Sequence, residues 1–579
     1  MYQLSKKKLY KPFSNDIDRP EIFLFLKKIL QPEVSFFWMS AIYGLAISLL
    51  ALATPMSVQF LINSVSFTAM LQPIIILGLV LLVLLLFWAA LSGLQFYVTE
   101  IFQRRFFARM TSEVGMSLLN SQHRVFEEAN QTEMVNRFFE TIAIQKTIPK
   151  FLTKTFSLLL QGFIGLVLVS FYHPLFLVFS LIIVASLWLI WSRFYKQAII
   201  SSFYESRRKY DVVGWLEDIA RGHNIFKSSN GYNYAKFKID FLTGQYLQER
   251  KKHFKNLFSQ VLLLLLLYVF ASVALLVIGG FLVLKGQLTI GQLVAAELIL
   301  SAILYGFSQL GRDFENFYDL IAACEKLSQF YNIPSDKTAG ESFPNKPFNL
   351  NFKNAFYKYS NHEYSFDVFF EAKKNYIVST GGFSTKKILI DLIHGFRTPI
   401  SGSVLVNEKD LRNLDLYSLR SQIAVIDNSP LIESSVGEYL SFNDVNISQS
   451  AIDEALKVTG LESIILKSED GLNMRIIPSG WPFSESEKIL LQIARVLIHK
   501  PNLIIITEIL DMLVLPARQK ILRYLTKEHD ATVIYFSHRT DGMLDFDHYL
   551  FVDKTQTYEF SSIEKLEEFE TKFHSNDRK

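Results

Sequence analysis

A single cysteine, Cys324, in 579 residues rules out an intrachain disulfide. Charge is scarce: 20% of the residues are Asp, Glu, Lys or Arg, and their balance is only +4. So small a net charge offers no concentrated basic footprint of the kind a nucleic-acid binder carries. The N-terminus does not read as a secretory signal, because Lys6-Lys7-Lys8 lacks a following short apolar core with a small-residue cleavage site. The composition also excludes disordered, collagen-like and disulfide-rich chains. What is plentiful is apolar side chain. Half of the residues are hydrophobic, and mean hydropathy is +0.22. A chain this long and this apolar reads as a membrane protein with a soluble part.

Val34 to Thr99 runs for 66 residues without a charge. A helical span needs roughly 20 apolar residues, so this stretch holds two spans around a polar turn. Thr155 to Ser192 holds two more, separated at His173-Pro174, where proline disfavours helix at the preceding residue. Asn256 to Leu284 and Leu288 to Gly311 supply the fifth and sixth. Spans are thus expected at about 35–62, 73–98, 155–172, 174–192, 257–284 and 288–311. The loops 100–154 and 193–255 carry eight and thirteen Lys/Arg, whereas the opposite turns carry only Lys285. That asymmetry places both long loops and both termini in the cytoplasm. Helical extensions of the spans are expected to fill these loops, with short helices at the tips near Glu127–Glu133 and Gly214–His223. Residues 21–31 read as an amphipathic helix on the inner surface, or as an extension of the first span.

Polar residues inside the spans are few. Glu297 is the one acid; it faces a cavity, a cationic part of a substrate or a partner helix, or else lies near a helix end and reaches water. Gln59, Gln95, Gln161 and Gln260 either line a polar path or bond helix to helix.

Beyond Gly311 the hydropathy falls. The expected division is a transmembrane domain with cytoplasmic helical extensions over 1–333, a linker over 334–347 and an α/β domain over 348–579. Ile377-Val378, Ile423–Ile426, Leu503–Ile506 and Thr532–Phe536 are β-branched runs of strand length. Leu389–His394 and Gln492–His499 read as helical between them, which predicts a largely parallel sheet. The strand ending at Val378 enters Ser379-Thr-Gly-Gly-Phe-Ser-Thr-Lys-Lys387 and then a helix, the place for a phosphate-binding loop. The strand Leu503–Ile506 ends in Thr507-Glu508, where such domains place acidic groups for metal and water.

With these motifs in place, nearly the whole chain resembles the exporter-type ATP-binding-cassette (ABC) half-transporters: six spans followed by a P-loop-type nucleotide-binding domain. The branch most like it exports peptides or proteins, here without the peptidase-like N-terminal domain of some members. The resemblance implies ATP as cofactor, a bilayer setting, work as a homodimer or heterodimer, export-system accessory proteins and no nucleic acid. It implies the plasma membrane, a bacterial inner membrane, with the nucleotide domain in the cytoplasm.

Residue by residue, the resemblance puts the adenine-stacking aromatic at Tyr359. It lays the phosphate loop over Ser379 to Lys387, with Gly381 and Gly382 at the turn and Ser384, Thr385, Lys386 and Lys387 at its end. The loop lysine falls on Thr385, or on Lys386 if the loop shifts by one. The γ-phosphate-sensing glutamine falls on Asn428, the signature on Phe483–Glu487 with Ser484 retained, the metal-binding aspartate on Thr507, the catalytic glutamate on Glu508 and the switch histidine on His538. No hydroxyl then occupies the magnesium position and no metal ligand is assigned. Glu485 and Glu487 are expected to face a partner's phosphates, a repulsion of about 1 kcal/mol per pair even in water. The expected function is half of an exporter whose own ATPase site is largely inactivated and which depends on a partner half. The alternative is a non-hydrolysing homodimeric scaffold or regulator of an export system; a homodimer with weak ATPase activity is a third reading.

Overall fold

A computed structural model describes residues 19–67, 71–128, 131–336, 340–537 and 546–576. The chain forms two compact units, Met1–Ser335 and Asp336–Lys579.

The first unit is helical: α1 (Arg19–Leu30), α2 (Val34–Ala51), α3 (Ala53–Phe67), α4 (Leu71–Leu119), α5 (His123–Glu128), α6 (Gln131–Asn136), α7 (Glu140–Lys150), α8 (Phe156–Ser170), α9 (Pro174–Arg221), α10 (Ser229–Leu284) and α11 (Ile290–Tyr331). Among the described residues, six helical segments are long and apolar enough to cross a membrane. The first is broken at Leu52 between α2 and α3. Pro55 has no N–H to give the Ala51 carbonyl, and the ladder resumes with Met56 N–H to Leu52 O at 3.1 Å. The third runs from Met134 to Ser170, longer than the expected 155–172, and passes through a π-helical turn at Phe151–Thr155 just after Pro149. His173 caps α9 through its Nδ1, and Pro174 takes the first helical position, where its missing N–H costs nothing.

Two expectations change. Gly214–Arg221 is not a separate tip helix but the last two turns of α9, and the chain reverses at Gly222–Ser228. There Trp215 donates to the Ala235 carbonyl at 3.4 Å, and the Lys238 ammonium lies 3.8 Å from the Trp215 ring centre. Residues 21–31 do not simply lie on a surface. α1 buries Phe25 and Ile29 in a cluster with Phe102, Phe106, Met110 and Leu327, although Leu24 stays exposed. At the other loop, α5 and α6 flank residues 129–130, which lie outside the described residues.

The second unit holds β1 (Leu350–Tyr359), β2 (His362–Phe370), β3 (Asn375–Thr380), β4 (Ser401–Val406), β5 (Lys409–Asp410), β6 (Ile423–Ile426), β7 (Ser434–Ser435), β8 (Arg475–Ile476), β9 (Leu503–Ile506), β10 (Thr532–Phe536), β11 (His548–Val552) and β12 (Thr557–Phe560). The main sheet has the order β12-β11-β3-β10-β9-β6. All its neighbours are parallel except the edge pair β11–β12. A second, antiparallel sheet runs β2-β1-β4-β5. Its helices are α12 (Phe383–Ile393), α13 (Leu416–Arg420), α14 (Val436–Ser441), α15 (Gln449–Thr459), α16 (Glu462–Ile465), α17 (Glu485–His499), α18 (Leu515–Lys527) and α19 (Ile563–Asn576). The central strands are buried along their length (Leu503–Ile506 and Thr532–Phe536), as parallel strands covered on both faces must be.

Candidate functional site

Parallel strands in register deliver their following residues to one edge of the sheet. β6 pairs with β9 so that Ile426 stands opposite Ile506. Asn428 and Glu508, each two residues further on, therefore leave the sheet side by side. β3 lies two strands from β9, with β10 between, and opens into α12 at the same edge.

The connection from β3 to α12 is Gly381-Gly382 alone. Gly381 donates to the Val552 carbonyl at 3.0 Å, and a Cβ there would meet the Asp553 carboxylate at 2.3 Å, so only glycine fits without a shift. Gly382 precedes the helix with no side-chain cap. Phe383 is 74% exposed, Ser384 is exposed and Thr385 is buried. Thr385 and Lys386 donate backward to the Gly382 carbonyl at 3.1 and 3.4 Å. Lys386 is thus the fourth residue of a regular helix. It does not end a long loop of N–H groups curled around an anion. Its buried ammonium forms an ion pair with Glu508 and lies 4.7 Å from the Phe383 ring centre. Lys387 leans toward Asp391 at 3.8 Å.

The groups at the magnesium positions do not suit a magnesium ion. Mg2+ takes oxygen ligands, carboxylates above all. Lys386 and Lys387 are cations, and the Thr507 hydroxyl is spent on the Ile426 carbonyl at 3.0 Å. No step through magnesium is therefore assigned to this chain.

Tyr359 ends β1 with 39% of its surface exposed. One face of its ring is covered by the Arg397 guanidinium at 4.8 Å. Arg397 is itself held by Asp391 at 2.7 Å and by the Tyr357 hydroxyl at 3.1 Å.

At the signature, Ser484 caps α17 in a reciprocal box. Its backbone N–H donates to the Glu487 carboxylate at 2.7 Å, and the Glu487 N–H donates to the Ser484 hydroxyl at 3.4 Å. Both acids are thus engaged within their own helix start. Glu487 turns back onto its own helix start, and Glu485 pairs with Lys488 at 2.7 Å. His538 lies outside the described residues.

The sequence reading missed Asp511, whose carboxylate accepts from Ser537 at 3.0 Å and from the buried Tyr535, with the fully buried Arg518 at 3.6 Å. Burial and then Asp511 push the Tyr535 phenol upward. An acid three residues after Glu508 was the available signal.

Residues 37–306 match the model of the ABC transporter transmembrane region. Over 536 residues the chain is 24% identical to the leukotoxin translocation ATP-binding protein LktB of Mannheimia glucosida, covering 90% of this chain and 74% of that protein. The LktB protein of Bibersteinia trehalosi is 23% identical over the same shares. Among solved structures, a bacterial Atm1-family ABC exporter with ATP bound superposes with a TM-score of 0.82 at 17% identity, over 95% of this chain and 99% of that one.

Proposed function

The chain has the architecture of an exporter-type ABC half-transporter, and from that premise we propose that it takes part in moving a polypeptide outward through a bilayer as one half of a dimer. The similarity to leukotoxin translocation proteins along 90% of the chain supports a protein or peptide cargo. The setting is a bacterial inner membrane, with the second unit in the cytoplasm and export-system accessory proteins nearby.

The same reading makes the chain's own ATPase site silent, with hydrolysis left to a partner half. One observation carries this. The ammonium that would meet nucleotide phosphates is already neutralised by Glu508, the residue that would activate water. ATP binding is then weak and independent of magnesium: the uncapped start of α12, Lys386 and Lys387 supply positive charge, while Thr507 supplies no carboxylate. Glu508 and His538 are remnants in this reading.

A second reading, a non-hydrolysing homodimeric scaffold, draws on the Ser484–Glu487 box. An anion already sits at the α17 start, the end that would serve a facing half. Calorimetry of ATP with the purified full-length protein, with and without magnesium, tests both. Micromolar, magnesium-dependent binding sinks the silent-site reading. A partner half that restores ATP turnover separates the exporter from the scaffold.

A further inference from the structure

We infer that Glu297, inside the sixth span, is a recognition point for a cationic group of the transported molecule: an ammonium or guanidinium. The inference deepens the polypeptide-export reading and rests on it.

Glu297 is the only Asp, Glu, Lys, Arg or His within the six expected spans, and the nearest basic residue in its own hairpin is Lys285 in the preceding turn. It lies seven residues beyond Ile290, the first residue of α11. That is about 10 Å along the helix, too deep to count as a frayed end. One carboxylate oxygen accepts from Ser301 at 2.8 Å. The other, Oε2, is buried and has no hydrogen-bond partner among the described residues. A carboxylate among apolar spans with a single hydroxyl donor is costly and leaves Oε2 with room for a further donor. The spans supply no counter-cation.

The surroundings fit a cation. Glu297, Ser301 and Tyr305 recur every four residues, so they form one stripe along α11. This stripe borders the open side of the helix: Tyr305 and the neighbouring Leu298 and Ala302 are exposed and Glu297 and Ser301 are half-buried, whereas Ala295, Ala296, Ile299, Leu300, Ile303 and Leu304 are buried. A carboxylate, a hydroxyl and an aromatic ring in line offer a cation a counter-charge, an acceptor and a π face. A helix face that met only lipid tails would have no use for them.

The test uses the full-length protein in nanodiscs and two apolar octapeptides, one with a central lysine and one with acetyl-lysine at that position. The wild type is expected to bind the charged peptide about tenfold more tightly than its neutral twin. Glu297→Gln is expected to abolish that preference while leaving the neutral peptide unchanged, and Glu297→Asp to keep most of it. Equal binding of the two peptides by the wild type, or an undiminished preference in Glu297→Gln, overturns the inference alone. Binding of neither peptide overturns the polypeptide-export reading together with it. The wild-type comparison stands even if Glu297→Gln does not yield folded protein.

Discussion

The Lys386 ammonium rests on the Glu508 carboxylate, tying the first turn of α12 to the end of β9. These residues are 122 positions apart, and only the strand order brings them together. The pair gives the second unit an internal substitute for phosphate. Glu508→Gln removes the anion and leaves a buried ammonium with weaker partners. The expected result is a loss of about 1–3 kcal/mol in the unfolding of this unit, partly recovered by added ATP or pyrophosphate. Thermal unfolding of the full chain with and without these anions reads both effects. A variant that is no less stable and shows no anion effect would mean that Lys386 is not held in check by Glu508.

The cap at Ser484 is a second, independent feature. Ser484→Ala removes the hydroxyl that accepts the Glu487 N–H. The expected cost is about 1 kcal/mol, measured as a shift in the denaturation midpoint with an unchanged slope. Glu487→Gln, which can still reach back to the Ser484 N–H, is expected to cost less.

Arg397 and Asp391 form a buried ion pair at 2.7 Å. Removing one partner strands the other, so Arg397→Ala is expected to destabilise by about 3–5 kcal/mol. Arg397→Lys keeps the charge but not the flat fork that also reaches Tyr357, and should fall between. Urea titration ranks the three proteins; equal midpoints would remove the pair from the account of this domain's stability.

Acid should weaken the second unit through His394. Burial pushes its imidazole below the ordinary value of 6.5, and Arg420 adds to this, against the Ile390 carbonyl, Asp391 and Asp427. The ring donates from Nδ1 to the Ile390 carbonyl at 3.0 Å and stays neutral. In the unfolded chain it takes a proton near 6.5. Below that pH the unfolded state therefore binds more protons, and the contribution present above 6.5 is lost progressively from there down through the lower value of the folded state. The midpoint should drop between pH 7.5 and 5.5. His394→Gln should flatten that slope; an unchanged slope would place the acid sensitivity elsewhere.

Gly402 tests the backbone. Its φ of +74° is left-handed, and a Cβ would lie 2.0 Å from the Asn354 carbonyl oxygen. Gly402→Ala combines a strained φ with a backbone clash and should cost at least about 2 kcal/mol. A neutral substitution, judged by melting temperature, would mean that the β1–β4 pairing opens more easily than its hydrogen bonds suggest.

How much of this is legible in the sequence depends on where each residue sits. Ile423–Ile426, Leu503–Ile506 and Thr532–Phe536 read as strands to the residue; the last two do so because a strand buried on both faces is an unbroken apolar run, whereas Ile423–Ile426 lies at the sheet edge with its middle half-buried. The antiparallel sheet was not readable strand by strand. β1 mixes buried Leu350, Phe352 and Ala355 with exposed Lys353 and Asn354, and a bulge shifts its register between Phe352 and Ala355. The turn at Gly381-Gly382 was visible as a place, but its brevity was not, since nothing local says that Phe383 already begins the helix. The partner of Lys386 could not be read at all without the β3-β10-β9 order. The Ser484–Glu487 box is a local Ser-x-x-Glu pattern, legible from spacing alone.

The length of α9 and α10 has a mechanical side. Their 48 and 56 residues correspond to about 70 and 85 Å of helix. A bilayer's hydrocarbon core takes up about 30 Å, which would leave about 40 and 55 Å of the two helices on the side of the reversal at Gly222–Ser228. Trp215, Lys238 and the Ala235 carbonyl pin the two arms together at that far end. A tilt of about 5° where the arms leave the bilayer displaces the pinned tip by about 4 Å, close to a helical turn's rise of 5.4 Å. With the tips pinned, the lever length of such a hairpin follows from its residue count.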